Sequence, residues 1–223
     1  RLERKVSHAK PIAAALCVPA GFLLMEIPYN PSLGSMGAQF VILGLCVTGA
    51  LFAIVYFLGQ RSKTAMIAFL LACFVSGVAN YFVSSFKGQP ILPSDIMALK
   101  TAASVSSGYT YAIGNSVLTA FCLLIAMIAF IVILPKSKRT PRTMATHAAL
   151  GLAALAAFCV WFNVADIEKD HGCTVDVWSS LDSYQQHGSL LCFLERSQLL
   201  TPHAPEGYTP EEATRVRSEK VAA

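Results

Sequence analysis

The stretch IGNSVLTAFCLLIAMIAFIVIL, from Ile113 to Leu134, and the PKSKRTPRT that follows it, from Pro135 to Thr143, decide the fold. Twenty-two residues pass without a charge, and four basic residues then arrive within eight. A helix crossing hydrocarbon needs about 17–25 apolar residues. A cluster of Lys and Arg just beyond such a helix marks the cytoplasmic side. Four more stretches of this kind lie around it, at Pro11–Ile27, Gly37–Gly59, Thr64–Phe86 and Ala145–Val164. The fold expected is therefore all-α: a polytopic membrane protein with five transmembrane helices. Pro19 is expected to kink the first of them.

The basic residues alternate from loop to loop. Arg1, Arg4, Lys5 and Lys10 precede the first span, Arg61 and Lys63 follow the second, and Lys136, Lys138, Arg139 and Arg142 follow the fourth. The intervening segments hold only Lys87 and Lys100. This bias predicts a cytoplasmic N-terminus and an extracellular C-terminus. Residues 1–166 then form the transmembrane domain and residues 167–223 an extracellular helical connector. The basic start followed by an apolar run resembles a signal peptide, but the run is long for one and four spans follow, so a retained first helix is expected.

Composition agrees. Of 223 residues, 55% are hydrophobic and 13% charged, against roughly 25% charged in a soluble domain. The net charge of +4 is spread over short loops, which argues against a nucleic-acid partner. Cys17, Cys46, Cys73, Cys122 and Cys159 lie inside apolar stretches, where cysteine packs as a small hydrophobe. Cys173 and Cys192 lie in the polar tail and can pair if that tail is extracellular.

Several features qualify as candidate sites. Ser76, Asn80 and Ser84 recur every four residues on the third span, with Lys87 continuing nearly the same face. Such a stripe either bonds a neighbouring helix or lines a crevice for a lipid headgroup. The loop Lys87-Gly88-Gln89-Pro90-Ile91-Leu92-Pro93-Ser94-Asp95 leads into a short amphipathic helix through Lys100, capped by Ser94 or Asp95. Lys87 and Lys100 are point charges for an anionic headgroup such as that of phosphatidylglycerol, and Asp95 reads as a cap before it reads as a catalytic group. Ala149, Ala153 and Ala157 form a small-residue row that either admits a close helix partner or reflects an alanine-rich span. Glu168, Asp170, His171, Cys173 and Asp176 include metal-ligand types but match no standard spacing, so a solvated linker is expected and no metal is assigned. His147 is expected in a structural role at the interface. Glu26 is the only acidic residue within a span, near its end. Trp178, Tyr184, Phe193 and Tyr208 are connector or interface candidates, with Trp178 suited to the headgroup level. Thr209-Pro210-Glu211-Glu212 reads as a capping box starting a further helix through Arg215, Arg217 and Lys220.

Three segments in order carry a family resemblance. Asn80-Tyr81, then Phe86-Lys87-Gly88-Gln89-Pro90 and Leu92-Pro93-Ser94-Asp95, resemble the membrane region of lipoteichoic-acid-synthase-like proteins, which are sulfatase-fold phosphoglycerol transferases. Asp182–Leu194 is similar to the family's segment after the fifth helix, with His187 where Asn is common and Ser189 where Phe is common. Pro205-Glu206-Gly207-Tyr208-Thr209-Pro210-Glu211-Glu212 resembles its connector. The resemblance implies a membrane anchor and lipid-facing domain of a cell-envelope polymer enzyme. The catalytic domain, with a Thr nucleophile and a divalent metal, usually manganese, would be a following or separate extracellular unit. No catalytic residue is assigned here, and the chain alone is expected to lack transferase activity. The alternative is a stand-alone, non-enzymatic accessory or scaffold protein. A transporter is disfavoured, because the span cores show neither paired broken helices nor intramembrane charges.

Overall fold

The computed structural model describes residues 2–97, 112–135 and 140–200, and every regular element among them is helical. Three long helices come first: α1 (Leu2–Glu26), α2 (Ala38–Leu58) and α3 (Lys63–Lys87). A short α4 (Pro93–Met97) precedes the long α5 (Asn115–Ile133) and α6 (Pro141–Val164). Three short helices follow: α7 (Ile167–His171), α8 (Ser180–His187) and α9 (Ser189–Gln198). Five helices are long and apolar enough to cross a membrane, so the chain is an all-α, five-span membrane protein. Lys100, Tyr208 and the capping box at Thr209–Glu212 lie outside the described residues, as do Lys136, Lys138 and Arg139 of the basic loop.

The helices overrun the apolar stretches. α1 begins at Leu2 and continues through Pro11 and Pro19, so the basic arm is helical rather than a separate segment. Lys63 and Lys87 likewise sit on α3. Hydropathy marks how much helix fits in hydrocarbon, whereas caps mark where a helix ends. The Ser62 hydroxyl accepts from the Ala65 amide at 3.1 Å and starts α3. Thr140 and Thr143 bond reciprocally around Pro141 and start α6, a box with Thr in the place of the usual Glu.

α1 is the central helix and packs on α2, α3 and α5. Its Ala13, Ala14, Cys17, Ala20 and Leu24 meet Phe52 and Tyr56 of α2, Met66, Phe69, Leu70 and Cys73 of α3, and Ala120 and Leu124 of α5. Small side chains bring backbones together where apolar lipid gives helices no hydrophobic drive to associate. α1 and α3 come closest at Gly77, where an added Cβ would collide with the Leu24 carbonyl oxygen.

α6 is peripheral and rests mainly on α2. Gly151 meets Leu58, at 2.7 Å from an added Cβ to Cδ2. Ala149, Ala153 and Ala157 are exposed, so the alanine row does not form this contact. The buried position is Gly151, and a glycine permits closer approach than an alanine. His147 sits 6.2 Å, ring to ring, from Phe57.

α7, α8 and α9 form a cap over one end of the bundle. A second apolar cluster joins Phe22, Tyr29, Met36, Phe40 and Val47 to Ile167, Cys173, Val175, Tyr184, Leu191 and Cys192. Residues 167–198 are therefore an ordered cap that shares an apolar core with the bundle. Leu191 is buried within it, while Trp178 is 93% exposed.

Candidate functional site

The site lies where the cap meets the bundle, and it is organised by Glu26. This last residue of α1 is 1% exposed. One carboxylate oxygen, Oε1, accepts the Ser189 amide and the Ser189 hydroxyl, both at 2.8 Å. The other, Oε2, accepts the Tyr29 hydroxyl and the Asn30 side-chain amide, both at 3.0 Å. Two donors are local and two come from 163 residues away. A buried carboxylate is costly unless its oxygens are bonded, and here each oxygen faces an obligatory N–H donor.

The geometry also serves α9. Gly188 precedes that helix and offers no side-chain cap. An acidic group near a helix N-terminus interacts favourably with the free amides and dipole there, and Glu26 fills this role from another helix. Gly188 adopts φ +93° and ψ 142°, a region that L side chains rarely enter. That backbone turn aims the Ser189 amide at Glu26.

Further bonds surround this centre. The Tyr29 hydroxyl lies 3.3 Å from the Tyr184 carbonyl, and the Asn30 amide donates to the Gln185 carbonyl at 2.9 Å. The Tyr184 hydroxyl donates to the Ile91 carbonyl at 3.2 Å, while Asn80 Oδ1 accepts the Ile91 amide at 3.0 Å. Ile91 thus has both its backbone groups bonded, one to α3 and one to the cap. Burial holds the Tyr29 and Tyr184 hydroxyls protonated well beyond the ordinary tyrosine range, and the Glu26 charge adds to this at Tyr29.

At its other end α9 is held by Gln198. The side-chain amide donates to the carbonyls of Phe162 and Ala165 at 2.6 and 2.7 Å. Its Oε1 accepts the Ile167 amide at 3.3 Å. These contacts close the C-terminal end of α6, whose last carbonyls have no partner within the helix. Arg196 donates to the Val175 carbonyl. Glu195 is buried beside it, and burial raises its carboxyl to about 7 against the opposing influence of Arg196.

The structure separates the expected polar stripe. Ser76 is exposed, Asn80 is buried against Ile91, and the Ser84 hydroxyl bonds the Tyr81 carbonyl of its own helix at 3.1 Å. Four-residue spacing drifts around a helix by about 40° per step, so this stripe crosses from lipid surface to interior. Lys87 meets both Asp95 oxygens at 2.8 and 2.9 Å. Asp95 Oδ2 also accepts the Leu92 amide at 3.0 Å. Asp95 therefore caps α4 from inside the first turn, in the manner of the second half of a capping box. Phe193 is half-buried in α9.

The acidic cluster after α6 also divides. Asp166 caps α7 by accepting the Lys169 amide at 3.0 Å, and Asp170 accepts the Asp166 amide at 2.9 Å. Asp176 accepts the Trp178 amide at 2.8 Å and the Ser179 hydroxyl at 3.1 Å. These bonds hold the Asp166 and Asp176 carboxyls below the ordinary range. Cys173 turns inward instead. Its Sγ lies 3.9 Å from Cys192 Sγ, both thiols are buried and free, and His187 joins them as a possible ligand group.

Of Glu26, Tyr29, Asn30, Ser189 and Gln198, the sequence singles out only Glu26, as an acid near a span end, and Ser189, as a departure from a motif. A signal existed for the first three: an isolated acid at a span end followed by donors at i+3 and i+4. Nothing local ties Ser189 or Gln198 to this site, since their partners are distant in sequence. No family model, curated protein or solved structure matches this chain.

Proposed function

We propose that this chain is the membrane anchor and lipid-facing domain of a lipoteichoic-acid-synthase-like phosphoglycerol transferase of cell-envelope polymer synthesis. In this reading it sits in a bacterial-type plasma membrane with its N-terminus cytoplasmic and its cap outside. The observation that carries the proposal is the meeting of segments that carry the resemblance. Asn80, the Pro90–Pro93 loop and Tyr184 of the post-span segment join through the two backbone groups of Ile91. Residues about 100 apart in sequence thus share one hydrogen-bonded centre.

The role follows from rigidity. The cap is tied to α1 and α6 at opposite ends of α9, so a unit that docks on it is held at a fixed height above the bilayer. That unit, following or separate, would supply the Thr nucleophile and the manganese. This chain supplies position and a surface for the lipid donor. Lys87 and Asp95 stand beside that surface, with Lys87 40% exposed at its side chain. Asp95 competes with an anionic headgroup for the same ammonium. Exposed Trp178 suits the headgroup level on the same side.

Native mass spectrometry of the purified chain tests the lipid part. Phosphatidylglycerol should be retained over phosphatidylcholine, and Lys87→Ala should remove the preference. Equal retention of both lipids by the wild type would favour the accessory-protein reading. Labelling from outside should reach a cysteine introduced at Trp178 and spare one introduced at Ser137; the reverse pattern would refute the orientation.

A further inference from the structure

We propose that Cys173, His187 and Cys192 form a zinc site that locks the cap. Cys173 follows α7, His187 ends α8 and Cys192 lies in the first half of α9, so an ion held by all three would bind the three cap helices to one another. Their ligand atoms all lie within 4.8 Å of one another. The two sulfurs are 3.9 Å apart. Two thiolates on one tetrahedral zinc, each at about 2.3 Å, stand about 3.8 Å apart. The sulfurs of a disulfide are about 2.05 Å apart, so the thiols would have to move together to form one.

The imidazole is what separates a metal site from a pair of thiols. Nδ1 of His187 is buried and has no hydrogen-bond partner among the described residues, and an unbonded buried nitrogen is uncommon. The ring packs on Phe40 with centroids 4.2 Å apart, which limits its rotation.

Charge selects the ion. Both cysteines are fully buried, and a net charge in such a place is costly. On binding, each thiol gives its proton to solvent, two Zn–S bonds and one Zn–N bond form, and the hydrated ion loses water. Two thiolates and a neutral imidazole around Zn2+ sum to zero. A monovalent cation would leave one negative charge behind. Soft sulfur ligands favour zinc over calcium or magnesium.

The test uses the full chain in detergent, reduced with a phosphine and titrated with Co2+ and then Zn2+. One equivalent of Co2+ should produce sulfur-to-cobalt charge-transfer absorption, which Zn2+ should abolish by displacement. Cys173→Ser and Cys192→Ser should each lose the band. His187→Ala should weaken binding at least about tenfold, since even outer-shell partners of a metal site are worth about 10–100-fold. Zn2+ should also slow Cys173–Cys192 disulfide formation in the wild type and not in His187→Ala. Absence of the cobalt band in the reduced wild type would overturn the proposal. So would equal rates of oxidation in wild type and His187→Ala with zinc present, which would identify the thiols as a disulfide pair indifferent to the histidine.

Discussion

The body of the bundle and its cap are held together by different chemistry. Around α1 the contacts are small and apolar: Ala13, Ala14, Cys17, Ala20 and Gly77 let neighbouring helices close in. At the cap the decisive contacts are directional, with four donors on Glu26 and three contacts from Gln198. Packing of small residues tolerates apolar exchange wherever volume is kept. A carboxylate with its donors does not, because removing one partner leaves several buried polar groups unpaired. The cap should therefore detach before the bundle comes apart, and the variants that do this are few and nameable.

Glu26→Ala should have the largest effect. It leaves the Ser189 amide and hydroxyl without their acceptor, removes one of two acceptors from Tyr29 and Asn30, and should weaken cap docking by about 3 kcal/mol, the scale of a hydrogen-bonded buried charge. Hydrogen exchange should rise across residues 166–198 while that of α1, α2 and α3 stays unchanged. Loss of protection in both regions together would mean that body and cap are one cooperative unit.

Gln198→Ala should cost about 1–2 kcal/mol, since neutral hydrogen bonds are lost. Its effect should concentrate on α7 and the end of α6 and leave Ser189 protected. Limited proteolysis near Ala165 would read this out.

Acidity gives a subtler contrast. Glu195 has its carboxyl raised to about 7 from 4.5, chiefly by burial. The folded cap holds the proton more tightly than the unfolded chain, so this stabilising contribution is full below about pH 4.5 and is lost as pH rises through about 7. Cap protection should fall across that window in the wild type and stay flatter in Glu195→Gln. Identical pH profiles would show that Glu195 titrates normally.

The smallest effect expected is at the surface pair. Asp95→Asn releases Lys87 and should sharpen retention of phosphatidylglycerol, by about 1 kcal/mol for a lysine near an anionic surface. No change in lipid preference would place the headgroup elsewhere.

Much of the body was legible because hydrocarbon imposes a simple rule on sequence. Long apolar runs such as the charge-free Ile113–Leu134 could be nothing but buried or lipid-facing helix, and all five are helical. Helix ends were less legible, since caps such as Thr140 and Thr143 are short polar patterns unrelated to hydropathy. Of the two readings of the alanine row, the structure agrees with the alanine-rich span: Ala149, Ala153 and Ala157 are exposed, and the close contact falls on Gly151. The Ser76–Asn80–Ser84 stripe misled because three polar residues four apart were read as one environment. In the structure they have three: lipid surface, a loop amide and their own helix. The cap site was largely hidden. Glu26 and Ser189 are 163 positions apart, and no local pattern announces such a bond. The sequence offers Cys173 and Cys192 as a pair, while His187 stands out in it only as a departure from a motif and nothing local marks it as a third ligand type.

The two ends of α9 have a mechanical consequence. Its first amide is fastened to the central helix and its last turn to the outermost one, a helix that otherwise leans on α2. α9 is in effect a tie rod laid across the top of the bundle. Swinging α6 away from α1 at this end must break bonds at Glu26 or at Gln198, whereas its opposite end has no such restraint among the described residues. Lateral strain from the surrounding lipid should therefore splay the bundle like a hinge that opens from below.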